Sequence, residues 1–247
     1  MPAVTDSRYL VQAGWDDVPH LDGRTKAELL ASTPPHLRDA RSKGTPSLGS
    51  GAIYPIQWEE VCCDPMPIPA WWPRAFALDV GWNRTACLWG AWDRETDTIY
   101  AYSEYYGAQQ PPAIHASAIK ARGSWIAGVV DPASRGRAQK DGEQLIETYR
   151  AEGLRLTPAD NTVEAGIFEV WQRLSTGRLK LFSTLGNLRA EYMLYRRDEH
   201  GRIVKKFDHL MDALRYLVMS GKAVAVVKSA TETRTAQVVV ADQTVGY

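Results

Sequence analysis

The sequence predicts an α/β fold, a mixed β-sheet laid down in the order βββαβαβα with helices on both faces. Three observations lead there. Three strand-like apolar runs follow one another within residues 75–106, a helical period takes over at residue 112, and strand-like and helical stretches then alternate to about residue 220. The bulk composition is that of a globular chain. Of 247 residues 45% are hydrophobic, and 29 Lys and Arg balance 29 Asp and Glu, which excludes collagen, coiled coil and wholesale disorder. Apolar runs all fall short of the roughly 18–20 residues a membrane-spanning helix requires. Met-Pro-Ala-Val-Thr-Asp at the start has no signal-peptide character, so no membrane and a cytoplasmic location are the expectation. Cys62 and Cys63 are adjacent and Cys87 is alone, which forms neither a disulfide framework nor a CxxC zinc site. Zero net charge removes the bulk basic signature of a nucleic-acid binder, so such a role must come from local patches and metal ions.

Taken in order, residues 1–73 read as a linker or remnant outside the compact domain. A short helix is expected over Thr25–Ser32, opened by a Thr25 and Glu28 capping pair, and Gly44–Gly51 is dense in turn formers. Prolines 65, 67, 69 and 73 each fix φ and remove a donor, making an extended connector. The domain proper spans 74–225. Ala75–Val80, Ala86–Trp92 and Thr98–Tyr106 are its first strands, joined by segments of hairpin length at 81–84 and 93–97. A helix over 112–122 turns Ile114, Ala118 and Ile119 inward, and the continuous apolar run Trp125–Val130 suits a strand covered on both faces. A helix over Gly142–Ala151 ends at Gly153, before a short strand at Leu154–Thr157. Asn161 and Glu164 form a capping pair for a helix whose Val163, Ile167, Val170, Trp171 and Leu174 share a face, and Gly177 stops it. Tyr192–Asp198 and Arg202–Phe207 flank a hairpin turn, and Asp208–Ser220 closes the domain as an amphipathic helix. Residues 226–247 read as a flexible tail.

Three acids stand out by position. Asp79 interrupts the apolar strand Phe-Ala-Leu-Asp-Val-Gly, where a carboxylate is costly unless paired or metal-bound. Asp131 ends the strand Trp125–Val130, at the edge where open α/β sheets hold ligands, although an Asp-Pro turn accounts for it equally well. Asp212 lies three residues after His209 on the last helix, which makes them neighbours on one flank. If the first and fourth strands are adjacent and the last helix crosses them, the three converge. Carboxylates so close repel, and divalent cations relieve the conflict; an oxygen-rich donor set suits Mg²⁺ or Mn²⁺. Two such ions can activate water and stabilise the leaving oxygen of a phosphodiester.

The strings Phe76–Trp82, Val130–Ser134 and Asp208–Tyr216 together resemble the C-terminal nuclease domain of tailed-bacteriophage terminase large subunits, which has a ribonuclease H-like fold. Gly166–Val170 with Leu174 and Gly177–Leu179 shares that look, and residues 36–55 resemble the segment joining the family's packaging ATPase to its nuclease. The resemblance covers about residues 35–220 and rests on the order and spacing of its motifs. It implies an endonuclease that cleaves concatemeric double-stranded DNA during genome packaging in the host bacterial cytoplasm, with Mg²⁺ or Mn²⁺ as two ions per site. Implied partners are an N-terminal ATPase domain, the terminase small subunit and the portal protein. No Gly-x-x-x-x-Gly-Lys-Ser/Thr loop occurs, so the expectation is a nuclease domain without its motor.

In that frame Asp79 bridges the metals, Asp131 and Asp212 complete one site each, and His209 is a supplementary ligand or a proton shuttle. Asp208 is expected to cap the last helix, and Glu104 is a weaker fourth acid. Asp141, Asp160 and Asp198 read as cap and turn residues. DNA contacts fall to Arg84, Arg135, Arg137, Lys140, Arg196, Arg197, Lys205 and Lys206, with Arg189 and Arg202 nearby in sequence. Trp89, Trp92, Trp125 and Trp171 lie in core elements and are read as packing. Alternatives on the same fold are a DNA-gripping domain without catalysis, a junction resolvase or integrase-like enzyme, and a ribonuclease acting on hybrids.

Overall fold

The computed structural model describes residues 3–5, 8–9, 14–32, 42–43, 51–81, 83–132 and 139–229, the side chains of 3–5, 8–9 and 139–144 excepted. Two compact units divide the chain: Met1–Pro55 with Met193–Lys206, and Ile56–Tyr192 with Phe207–Tyr247. In the smaller unit, a helix runs over Gly23–Ser32. Its start is fixed by Asp22, whose Oδ1 accepts from the Thr25 amide at 2.7 Å, while Glu28 pairs with Arg24; this replaces the expected Thr25 and Glu28 capping pair. Residues 51–54 lie along 195–197, with Ile53 N to Tyr195 O at 3.0 Å. Arg197 bridges to Ile203 across a turn in which Asp198 Oδ1 accepts from the amides of His200 and Arg202.

The larger unit is built on one seven-stranded sheet. Its elements are α1 (Trp58–Val61), β1 (Cys62–Cys63), β2 (Arg74–Val80), β3 (Thr85–Asp93), β4 (Thr98–Gly107), α2 (Pro112–Lys120), β5 (Ala127–Val130), α3 (Gln139–Ala151), β6 (Leu156–Pro158), α4 (Val163–Ser175), β7 (Leu179–Phe182), α5 (Gly186–Leu194) and α6 (His209–Tyr216). Spatially the strands run β1-β7-β4-β3-β2-β5-β6. β2, β3 and β4 form the antiparallel meander; β5 adds parallel to β2 and β6 parallel to β5, while β7 adds parallel to β4 and β1 to β7. Cys62–Cys63, in the segment assigned from sequence to the linker, thus form an edge strand, preceded by α1. A π-helical turn over Leu217–Gly221 and a short helix over Lys222–Val224 prolong α6.

Alternation along β2 sorts its residues between two faces. Phe76 and Leu78 join Cys87 and Trp89 of β3 in a buried cluster with Ala116 and Ile119 of α2 and Ile146 and Tyr149 of α3. Gly128 of β5 stands opposite Phe76 in register, and a Cβ there would overlap the Phe76 ring, so glycine is what admits that ring. On the other face, α6 packs across β2 and β3, and α4 packs against α6.

Several local expectations need correction. In α2 the buried positions are His115, Ala116 and Ile119, and Ile114 is exposed. The inward face is set by Ala116 and Ile119 in the core, and His115 beside them is satisfied by a 2.7 Å hydrogen bond between its Nδ1 and the Tyr105 hydroxyl. Thr162, not Asn161, is the N-cap of α4, where Asp160 Oδ1 accepts from the Thr162 amide and hydroxyl. Tyr192 belongs to a helix rather than a hairpin strand, since Gly186–Leu194 buries Leu188, Glu191 and Tyr192 at spacings of three and four. Among the described residues no helix is long and apolar enough to cross a membrane.

Candidate functional site

Four side chains singled out by sequence meet at one end of the sheet. Asp79 follows Leu78 on β2 and points to the α6 face, opposite to Phe76 and Leu78. Asp131 is the first residue past β5, and its amide donates to Leu78 O at 3.2 Å, extending the parallel ladder by one bond. That register sets Asp131 beside Asp79 at the carboxyl edge of two neighbouring strands. From α6, His209 Nδ1 shares a 2.8 Å hydrogen bond with Asp79 Oδ2. Asp212, one turn further along α6, accepts from Arg215 Nη2 at 3.0 Å. Arg215 is buried, stacks 4.6 Å from the Tyr216 ring centre, and lies against Gly166 of α4, where a Cβ would overlap its stem.

The electrostatics show how close the acids are. Burial pushes the Asp79 carboxyl above its ordinary range; His209 opposes the shift, and the negative charges of Asp212 and Asp131 add to it. His209 is in turn held above the usual imidazole range by its hydrogen bond to Asp79, against the effect of its own burial. The Tyr216 hydroxyl is driven far up by burial and by the neighbouring Asp131 and Asp212 charges.

Oxygen-rich chemistry of this kind fits a hard divalent cation better than zinc. The acids are neighbours without being drawn to a point: among the described residues no three His, Cys, Asp or Glu side chains close to metal-ligand spacing. The physical reason is visible in the pairing. Asp79 Oδ2 is engaged by His209 and Asp212 Oδ1 by the Arg215 guanidinium, so each carboxylate already has a side-chain partner where an ion would bind.

Glu104 does not join the acids. Its Oε1 accepts from the amide and side-chain nitrogen of Asn187 at 2.9 and 2.8 Å and its Oε2 from the Leu188 amide at 2.9 Å, so it caps α5 from β4. Asp208, expected to cap α6, makes no capping hydrogen bond. That function passes to Glu191 of α5, which sequence reasoning missed. The missed signal was a period of three to four over Leu188, Glu191 and Tyr192, which places the glutamate on an inward face. Tyr106 also went unnoticed: its hydroxyl donates to Glu191 Oε1 at 2.6 Å, and its ring packs edge-on to His209 with centroids 6.4 Å apart.

Of the basic residues, Arg84 stands near the acids, its guanidinium 5.2 Å from the centre of the Tyr106 ring. Arg135 and Arg137 lie outside the described residues, as does the side chain of Lys140. Arg196, Arg197, Lys205 and Lys206 belong to the smaller unit. Arg189 is paired to Glu59 at 3.3 Å, and the Arg202 amide closes the turn at Asp198. Trp89 and Trp92 are buried in β3, and Trp125 packs against the α2 and α3 cluster.

Comparison with known proteins adds an independent line. A family model described as the terminase RNaseH-like domain matches residues 77–220. The terminase large subunit of Salmonella phage P22 is 32% identical over 210 residues, 81% of this chain and 42% of the relative, so the chain spans less than half the length of that protein. Among solved structures, the nuclease domain of the P22 large terminase superposes with a TM-score of 0.68 at 30% identity, covering 73% of this chain and 97% of the other. The large terminase nuclease of thermophilic phage G20c, which carries bound cobalt, shares the fold at a TM-score of 0.50 and 14% identity, over 71% of this chain and 98% of its own. The meander with parallel strands on its flanks is the ribonuclease H-like sheet expected from the motifs, and the chain belongs to the family of terminase RNaseH-like domains.

Proposed function

We propose that the larger unit is a metal-dependent endonuclease that cuts double-stranded DNA at the Asp79, Asp131 and Asp212 cluster. The single observation that carries this reading is geometric: the Asp131 amide bonds to Leu78 O beside Asp79 at the carboxyl edge of two parallel strands, and α6, bonded to Asp79 through His209, brings Asp212 to the same edge. The G20c relative carries bound cobalt, which supports divalent-cation chemistry on this fold. Asp79, Asp131 and Asp212 would hold Mg²⁺ or Mn²⁺, two ions per site. Bound there, such ions supply Lewis acidity at the phosphodiester and lower the pKa of an attacking water.

The chain's own groups do the rest. His209, hydrogen-bonded through Nδ1 to Asp79 Oδ2, would pass a proton to or from the reacting phosphate through its other ring nitrogen. Arg215 keeps Asp212 oriented, being buried and bonded to it. Arg84, exposed and stacked on Tyr106, offers a cation to a backbone phosphate approaching the acids. In the whole protein, this cutting activity would serve genome packaging beside an ATPase domain, with the small subunit and portal as partners.

Purified chain incubated with plasmid DNA in Mn²⁺ or Mg²⁺ is expected to nick and linearise it, and EDTA to stop it. Asp79→Asn and Asp212→Asn should each lose cleavage. Asp79→Asn should melt no lower than wild type, because it removes a carboxyl whose burial opposes ionisation. Full cleavage by both variants would remove the proposal, while salt-sensitive DNA binding without hydrolysis by the wild type would favour a gripping domain instead.

A further inference from the structure

Helix α6 carries both His209 and Asp212, so the depth at which its first turn sits against β2 decides whether either reaches Asp79. Helix termini leave amide donors unanswered, and a cap normally comes from the residue before the helix. Here Asp208 makes no such bond. The acceptor is Glu191 of α5, buried at 3% exposure, whose Oε2 accepts from the Leu210 amide at 2.6 Å and the Met211 amide at 3.4 Å. Its other oxygen accepts from the Tyr106 hydroxyl at 2.6 Å. One carboxylate therefore ties together β4, α5 and α6, and both of its arms end beside His209: Leu210 is the next residue, and the Tyr106 ring packs on the imidazole.

A cap that served helix stability alone would need no tie to Tyr106. A negative charge at a helix N-terminus is favourable, but burying it is costly unless both oxygens are answered, and here they are. The arrangement is stepped: Glu104 of β4 fixes the start of α5, and Glu191 of α5 fixes the start of α6. The sheet thereby dictates the position of α6 through two carboxylates that take no part in the acid cluster.

We propose that Glu191 is a positioning residue for the nuclease site, holding the first turn of α6 and the Tyr106 ring so that His209 and Asp212 face Asp79. The proposal rests on the nuclease reading above. Residues that orient metal ligands without touching the ion commonly change metal affinity or activity by about 10–100-fold when altered.

The experiment uses the full chain with Mn²⁺ as probe, comparing wild type with Glu191→Ala, Glu191→Asp and Glu191→Gln. Three measurements are made: Mn²⁺ affinity by calorimetry, cleavage rate against Mn²⁺ concentration, and amide exchange at Leu210 and Met211. Glu191→Ala should raise the Mn²⁺ concentration for half-maximal cleavage by about 10–100-fold and speed exchange at both amides. Glu191→Gln, which retains an oxygen for the helix amides, should recover most of the loss. Glu191→Asp, one methylene short of spanning Tyr106 and α6, should resemble Ala, and it keeps the test intact if Ala fails to fold. Unchanged Mn²⁺ dependence in the folded Ala or Asp variant overturns the proposal, as does a loss in Gln equal to that in Ala. A wild-type chain that neither binds Mn²⁺ nor cuts DNA sinks the nuclease reading itself, a result distinct from either.

Discussion

On the face of the sheet covered by α2 and α3, Phe76, Leu78, Cys87 and Trp89 pack against Ala116, Ile119, Ile146 and Tyr149, whereas the face under α6 receives Asp79, Asp212, Arg215 and the arms of Glu191. Ionisable groups on the first face are kept neutral. Burial depresses the His115 imidazole, lifts the Cys87 thiol and pushes the Tyr149 hydroxyl up to about 12. On the second face ionisable groups are paired with one another, His209 with Asp79 and Arg215 with Asp212. Consecutive residues of one strand, Leu78 and Asp79, feed the two tasks. Stability is concentrated where polarity is excluded, which lets the opposite face hold acids that folding alone would disfavour.

Mutations can break this division, beginning with the largest expected effect. Phe76→Ala empties the ring's place against Trp89 and Gly128 and should cost about 3–5 kcal/mol in urea unfolding, with cleavage per folded molecule unchanged. A parallel loss of specific activity would show that the two faces are not separable. Arg215→Met, on the charged face, keeps the stem packing but leaves Asp212 without its buried cation, at a cost of about 3 kcal/mol in EDTA. Because the nuclease reading makes Mn²⁺ an alternative partner for Asp212, adding Mn²⁺ should raise the melting temperature more for this variant than for wild type. Equal shifts would count against Arg215 and metal competing for the same carboxylate. Gly128→Ala forces a methyl into the Phe76 ring and should cost about 1–3 kcal/mol, again without changing activity per folded molecule.

The smallest effect sharpens the contrast by pH. His115 has a depressed pKa in the folded protein, chiefly from burial, so the unfolded chain binds its proton more readily. Its contribution to stability is therefore complete above the ordinary imidazole pKa of about 6.5 and is lost as pH falls below that value towards the folded pKa. In His115→Phe the pH dependence of unfolding between neutrality and about pH 5 should be shallower than in wild type. Identical slopes would show that His115 does not carry it.

Much of the larger unit was legible because its signals are local. The three meander strands, the parallel strand ending at Asp131, and the helices at 139–151 and 163–175 each follow from period and turn residues. Asp93 shows how turn chemistry works, since its carboxylate takes the Glu95 amide and the Thr96 hydroxyl and closes the second hairpin. Three stretches were not read, the first being residues 58–63, which were assigned to the linker. Leu179–Phe182 is a four-residue apolar strand whose pairing with β4 and β1 is entirely distant in sequence, and α5 was mistaken for a hairpin strand because Tyr192, Met193 and Leu194 imitate one.

Asp79, Asp131, Asp212 and His209 were identifiable from sequence as acids and an imidazole in unusual positions, because an apolar strand or an amphipathic helix makes an ionisable residue conspicuous. Partnership was another matter. Glu104 and Glu191 look alike along the chain, a glutamate on a strand and one on a helix, and only the packed molecule assigns both to helix starts. Patterns of period and turn depend on neighbours a few residues away, so the sequence determined the elements and the order in which they meet. Which carboxylate faces an arginine, an amide or another carboxylate depends on groups tens of residues distant, and only the tertiary structure could decide that.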